Sequence, residues 1–241
     1  KDLLRPVASL SRLYSASDIP FIHPRFAEKL FLESFIGKTE DLTRQDISFD
    51  VVADEKGVGV KTFRADQNSS SEKVAEFNDI SDTFLNLNNE ELAKTVSKAR
   101  NKRLLSDAIE RNINIDDAYY HCLVRRSGNA FIHEEPLNLI DLDNLQIIPN
   151  RRSNYPKFYD GKAEYNFNKS KSTLYKKFEL SKFKNSEIIE LPIISEDKIF
   201  LALKNFFKNI EQGSFELEKQ GVLNFLEDKN KVESLDLERS E

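Results

Sequence analysis

The sequence contains no methionine, no tryptophan and a single cysteine, Cys122, in 241 residues. A lone thiol excludes an internal disulfide framework and leads to the expectation of a reducing, cytoplasmic setting. Glycine and proline are sparse at seven residues each, and histidine is sparser at three. His23, His121 and His133 are far apart and lack the short paired spacing of a zinc site. No glycine-rich phosphate loop occurs, so ATP-driven chemistry is not implied. Lys1 to Ser17 has no apolar stretch of the secretory-signal kind, and no apolar run approaches the ~20 residues of a membrane helix. A membrane is therefore not an expected partner.

What is present suits a folded chain. Hydrophobic residues make up 39% and charged residues 32%, with 18 phenylalanines to build a core. The net charge of −5 argues against coating nucleic acid by charge alone, but it conceals a segregation. Residues 151–184 hold ten basic side chains against three acidic ones, whereas 211–241 hold nine acids against four bases.

Along the chain, "HPRFAEKLFLESFIG" predicts a helix with Pro24 in its first turn and Gly37 beyond its end. "DISFDVVADEKGVGVKTF" (46–63) predicts two strands joined by a tight turn. Ser69 and Glu72 have capping-box spacing, which predicts a helix from about residue 70. "NNEELAKTVSKARNKRLLSDAIERN" predicts a long polar helix with a thin stripe of Leu92, Val96, Leu104 and Ile109. From about residue 116 strands dominate, and "EDKIFLALKNFFKNIE" closes the pattern as an amphipathic helix. The predicted organisation is a catalytic region over 1–115 and a β-rich region over 116–241, with the two free to share one core.

The chemistry concentrates in the hairpin. If Lys56-Gly57 forms a two-residue loop, Asp50 and Lys61 share one face, one diagonal step apart. A three-residue loop would place them on opposite faces. An aspartate and a lysine on adjacent strands suit metal-assisted phosphodiester hydrolysis. The carboxylate holds a divalent cation, and the ammonium neutralises phosphate charge and helps orient or deprotonate a water.

Asp50, its spacing to "VGVKTF" and Lys61 resemble the PD-(D/E)XK nuclease superfamily, in particular Type II restriction endonucleases. The resemblance covers residues 23–78. It implies an α/β fold of the α+β kind, with a central mixed β-sheet flanked by helices. It also implies a Mg²⁺-dependent endonuclease that acts on double-stranded DNA as a homodimer. The residue two before the lysine is usually acidic in that superfamily, but here it is Gly59, and Phe49 stands where a proline is usual before Asp50. Some restriction endonucleases move the missing carboxylate to the following helix. That makes Glu76 the expected second metal ligand beside Asp50, with Glu72, Glu28 and Glu33 as alternatives. The rival readings are a nuclease of the same superfamily used in repair or mobile-element transfer, and a non-catalytic nucleic-acid-binding protein on a degenerate nuclease fold.

The basic segment of the second half is the expected DNA reader. It interleaves Tyr155, Phe158, Tyr159, Tyr165, Phe167 and Tyr175 with lysines and short polar side chains. Arg151, Arg152, Asn168, Lys169, Ser170, Lys171, Ser172, Thr173 and Lys176 are its expected DNA contacts, with "NKSKST" as the contacting turn. The alternative for the same segment is a solvated basic hairpin whose aromatics are core.

Overall fold

The computed structural model describes residues 2–42, 47–65, 69–84, 86–149, 155–180 and 188–211. Arg151 and Arg152 lie outside the described residues, as does most of the acidic tail. The fold is mixed α/β with two sheets, as expected at that level. Its helices are α1 (Leu4–Ser9), α2 (Pro24–Ser34), α3 (Asn89–Glu110) and α4 (Glu196–Glu211). Its strands are β1 (Thr39–Asp41), β2 (Val51–Ala53), β3 (Lys56–Arg64), β4 (Ser69–Glu76), β5 (Tyr119–Arg126) and β6 (Asn129–Pro136). They continue as β7 (Gln146–Ile148), β8 (Lys157–Tyr159), β9 (Glu164–Asn168), β10 (Thr173–Glu179) and β11 (Ile188–Glu190). Among the described residues no helix is long and apolar enough to cross a membrane.

Local signals set the helix starts. Pro24 opens α2 behind His23, whose Nδ1 accepts from the Arg25 N–H at 3.2 Å. The α3 terminus is a reciprocal capping box. Asn88 Oδ1 accepts from the Glu90 and Glu91 N–H groups at 3.0 Å, and the Glu91 carboxylate accepts from the Asn88 N–H at 3.1 Å.

The helix predicted from residue 70 is instead the strand β4. The Ser69–Glu72 box does not form, and Ser70 Oγ donates to Glu72 Oε1 at 2.6 Å. β4 pairs antiparallel with β10 from Ser69↔Glu179 to Glu76↔Thr173. A long ladder to a strand a hundred residues away outweighs one local capping pattern, because isolated short helices are marginal. The ladder shifts register at Val74, a bulge that turns Lys73 and Glu76 to one side. Their ion pair at 2.9 Å, three residues apart in a strand, follows from it.

The chain forms two compact units, and they do not part near residue 115. One comprises 23–126 and 131–187, and the other 1–22, 127–130 and 188–241. In the first, β3 pairs parallel with β5 from Val58↔Tyr119 to Arg64↔Arg125, and β4 pairs with β10. Segments on either side of 115 therefore share both sheets. One sheet runs β1-β2-β3-β5-β6 within this unit, the other β4-β10-β9-β8-β7. The β1-β2-β3 pairings are antiparallel, so the first sheet is mixed. Helix α3 serves two hydrophobic clusters. Leu104 and Ala108 join Phe63, Tyr120, Val124 and Phe178, while Leu92, Ala93 and Val96 join Phe158, Tyr165 and Phe167. In the second unit, the Ile194 N–H donates to Ser9 O at 2.9 Å and the Leu191 N–H to Gly128 O at 2.8 Å. The amphipathic α4 forms as expected.

Candidate active site

The β2–β3 hairpin turns two residues earlier than expected. Val51↔Val58 and Ala53↔Lys56 pair, so the loop is Asp54-Glu55, with φ of 44° and 65°. Two positive φ values make this a two-residue loop of the type that matches strand twist. Gly57 is consequently in the strand. Any Cβ there would lie 2.5 Å from the Phe49 ring, so the glycine makes room for that buried phenylalanine. An even-numbered loop survives the displacement, which keeps Asp50 and Lys61 within reach.

They meet at the end of the ladder. β2 pairs with β3 only as far as Val58. The Asp50 carboxylate takes over there, with Oδ2 accepting from the Val60 N–H at 2.8 Å and from Lys61 Nζ at 3.2 Å. The Asp50 backbone is fixed on both sides, donating to Val58 O at 2.9 Å and accepting from the Leu42 N–H at 3.1 Å. Helix α3 anchors the preceding residues, since Asp107 Oδ2 accepts from the Ser48 N–H at 2.8 Å. The side chains of Lys61 and Asp50 are 21% and 29% exposed, so solvent screens the pair only in part. Burial works against the Lys61 ammonium, yet Asp50, with a smaller contribution from Tyr120, raises its pKa above the ordinary lysine value. Lys61 is therefore a standing cation at neutral pH, suited to neutralising phosphate and unsuited to removing a proton from water.

Glu28 on α2 is raised above its ordinary value by burial and then by the Asp50 carboxylate. Its carboxylate makes no hydrogen bond among the described residues. Glu72 on β4 is also raised by burial, and its hydrogen bond from Ser70 works the other way. Glu76 lies in the Asp50–Lys61 pocket but on a strand, not on the expected helix. It is exposed, and hydrogen bonds from Lys73 and Asn78 hold its carboxyl below the usual range. Glu33 is exposed at the far end of α2. Among the described residues no three His, Cys, Asp or Glu side chains converge as a cage for a metal ion.

Gly59 has a steric reason. It pairs with Tyr120 across the parallel ladder, and a Cβ at Gly59 would stand 2.9 Å from the Tyr120 ring. An acid at this position would have to displace the tyrosine, whose hydroxyl accepts from Arg100 Nη2 at 3.2 Å.

A pocket of about 190 Å³ opens beside the pair. Lys61, Lys73, Arg100 and Arg103 line it, against the carboxylates of Asp50 and Glu76. The two arginines belong to α3 and lie outside the hairpin on which the sequence concentrates its chemistry. Arg100 stands at four-residue spacing within Leu92, Val96, Leu104 and Ala108, so a charge occupying an apolar stripe was the available signal.

The expected DNA-contacting turn is differently built. "NKSKST" joins β9 to β10, and much of its polar chemistry is used internally. Asn168 is buried and its Oδ1 accepts from the Lys171 N–H at 3.2 Å. Ser172 is buried at φ 45°, and the buried Thr173 donates from Oγ1 to Lys171 O at 2.7 Å. Lys176 is buried between an ion pair with Glu135 and the ring of Phe178, whose centroid lies 4.1 Å from Nζ. These four are structural groups. Lys169 is half-buried, while Ser170 and Lys171 face outward. Phe158, Tyr165 and Phe167 are core, as the alternative reading of the segment had them.

The histidines do not form a metal site among the described residues. His121 Nδ1 lies 2.8 Å from Glu134 Oε1, and its ring meets Phe31 edge-on. Burial pushes the adjacent Cys122 thiol up to about 12, which removes it as a nucleophile. No protein-family model matches the chain, and neither curated proteins nor solved structures yield a significant match.

Proposed function

We propose that the protein is a Mg²⁺-dependent endodeoxyribonuclease of the PD-(D/E)XK kind, with Asp50 and Lys61 at its centre. The observation that carries this reading is the shared Asp50 oxygen, held by the Val60 N–H at 2.8 Å and by Lys61 Nζ at 3.2 Å. Support also comes from the mixed sheet with α2 before it and α3 in the β3–β5 crossover. Mg²⁺ commonly keeps several waters and takes only one or two protein carboxylates beside the substrate phosphates. Asp50 with Glu28 fits that need better than Asp50 with Glu76. Both Asp50 hydrogen bonds fall on Oδ2, and Glu28 is a carboxylate raised first by burial and then by the Asp50 carboxylate, a repulsion that a cation would relieve.

In this reading Glu28 and Asp50 would hold the ion, which would supply positive charge against the negative charge that develops at the phosphate. Lys61 donates to the scissile phosphate and offsets its charge. The Val60 N–H fixes the Asp50 carboxylate, and Gly59 lets Tyr120 pack where other members of the superfamily carry an acid. A homodimer would place one such site on each strand.

A degenerate, non-catalytic nucleic-acid-binding protein is the second reading, and it draws on Gly59. Incubation of duplex DNA with Mg²⁺ separates the two. We expect cleavage by the native chain, and a loss of roughly 10²–10³-fold in rate with retained binding for Lys61→Ala. Undiminished cleavage by Lys61→Ala refutes the site, and no cleavage of any DNA by the native chain favours the binding protein. Discrete fragments indicate restriction; a smear indicates repair-type activity.

A further inference from the structure

Arg100 is 2% exposed, and a guanidinium cannot shed its charge by deprotonation. Its Nη1 donates to Asn138 O at 3.0 Å and its Nη2 to the Tyr120 hydroxyl at 3.2 Å. Its Nε is buried with no hydrogen-bond partner, and no carboxylate pairs with it among the described residues. Buried charges are ordinarily paired, because an isolated one is costly to desolvate. The fold thus devotes a stripe position of α3 to a cation that no carboxylate pairs with among the described residues. That cation lines the same pocket as Lys61, together with Arg103 and with Lys73, which is paired with Glu76 at 2.9 Å. At about 190 Å³ the pocket is smaller than the ~300–1,000 Å³ typical of sites for organic ligands, and it suits a compact anion.

We infer that this pocket is a phosphate subsite in which Arg100, Arg103 and Lys73 hold a phosphate group beside the Asp50–Lys61 pair. In the nuclease reading, on which its biological role rests, the group belongs to the nucleic acid. It is either a backbone phosphodiester next to the scissile one or a terminal phosphomonoester. Arg103 is already positioned at the pocket, since its Nη1 donates to Glu76 O at 3.2 Å. Guanidinium groups suit this task because their donors match phosphate oxygens two at a time.

The test needs neither metal nor cleavage. Inorganic phosphate is titrated into the full chain at constant ionic strength, set with chloride, and read by calorimetry and thermal shift. Saturable binding is expected, weakened roughly tenfold or more by Arg103→Ala and by Arg100→Gln. Arg103 is only half-buried, so its variant keeps the test open if Arg100→Gln does not fold. Absent saturable binding, or binding unchanged in Arg103→Ala, overturns the subsite. Two oligonucleotides of one sequence, with and without a 5′-phosphate, then distinguish the sources. Preference for the phosphorylated one assigns the terminal group, and equal binding that is still weakened by Arg103→Ala assigns the backbone. Phosphate binding by a chain that cuts no DNA retains the subsite and discards the nuclease. Cleavage with no phosphate binding does the reverse.

Discussion

Two parts of this chain gather charged and polar side chains, the surroundings of the β2–β3 edge and the β9–β10 turn, and they use them oppositely. At the turn, Asn168, Ser172, Thr173 and Lys176 are buried or engaged within the fold. Around the edge, Glu28 of α2 is left under the field of Asp50, and Arg100 of α3 is left without a counter-charge among the described residues. Density of polar residues does not separate a site from a scaffold. Charge that the fold has gathered and not neutralised does.

The largest effect that would break this contrast lies at Glu28. Glu28→Gln is expected to lower Mg²⁺-dependent cleavage about 10²-fold or more, whereas Glu76→Gln leaves most of it. The reverse order would restore Glu76 as the metal ligand. Glu28 also carries a pH signature. Its folded pKa is raised, so charging it opposes folding above the ordinary carboxylate value of 4.5, and that opposition disappears well below it. The Glu28→Gln chain should therefore melt higher than the native chain at pH 7, and the advantage should vanish in acid. Added Mg²⁺ should raise the melting temperature of the native chain and leave that of the variant unmoved.

At the scaffold the expected effect is on stability. Lys176→Ala leaves the Glu135 carboxylate, itself only 14% exposed, with the more distant His133 Nε2 at 3.9 Å, and breaking one side of such a buried pair typically costs about 3–5 kcal/mol. Lys176→Ala with Glu135→Ala should recover part of that loss in urea unfolding. A single variant of native stability and reduced DNA affinity would return Lys176 to the DNA-contacting surface.

Much of the frame was legible because local signals and tertiary demands agreed. Pro24 begins α2, and the Asn88–Glu91 box begins α3. The hairpin pairing of Asp50 with Lys61 was legible through loop parity alone, although the loop itself fell at Asp54-Glu55. Gly57 misled because it serves the Phe49 ring, a contact that sequence spacing does not display. β4 misled more thoroughly, since its partner β10 is a hundred residues away and Ser69 with Glu72 mimics a helix cap. Arg100 was visible as a charge in an apolar stripe, but its lack of a carboxylate partner among the described residues is a matter of tertiary placement.

Gly59→Ala is expected to cost about 1–3 kcal/mol, because the new Cβ must push the Tyr120 ring, and with it the group that accepts from Arg100. If Gly59 is a packing device and not a lost acid, Tyr120→Ala should make Gly59→Ala far cheaper, a coupling that a double-mutant cycle reads directly.

The smallest effect is at the outward part of the turn, and it decides whether the turn contributes to binding at all. Lys171 is exposed and Lys169 half-buried, so Lys169→Ala with Lys171→Ala should leave stability within about 0.5 kcal/mol. If both lysines touch DNA phosphates, the salt dependence of binding should flatten by about two in log–log slope, uniformly across sequences. An unchanged slope would leave the β9–β10 turn as scaffold throughout. DNA engagement by the described residues would then rest on the β2–β3 edge, whose cations already outnumber the carboxylates around its pocket.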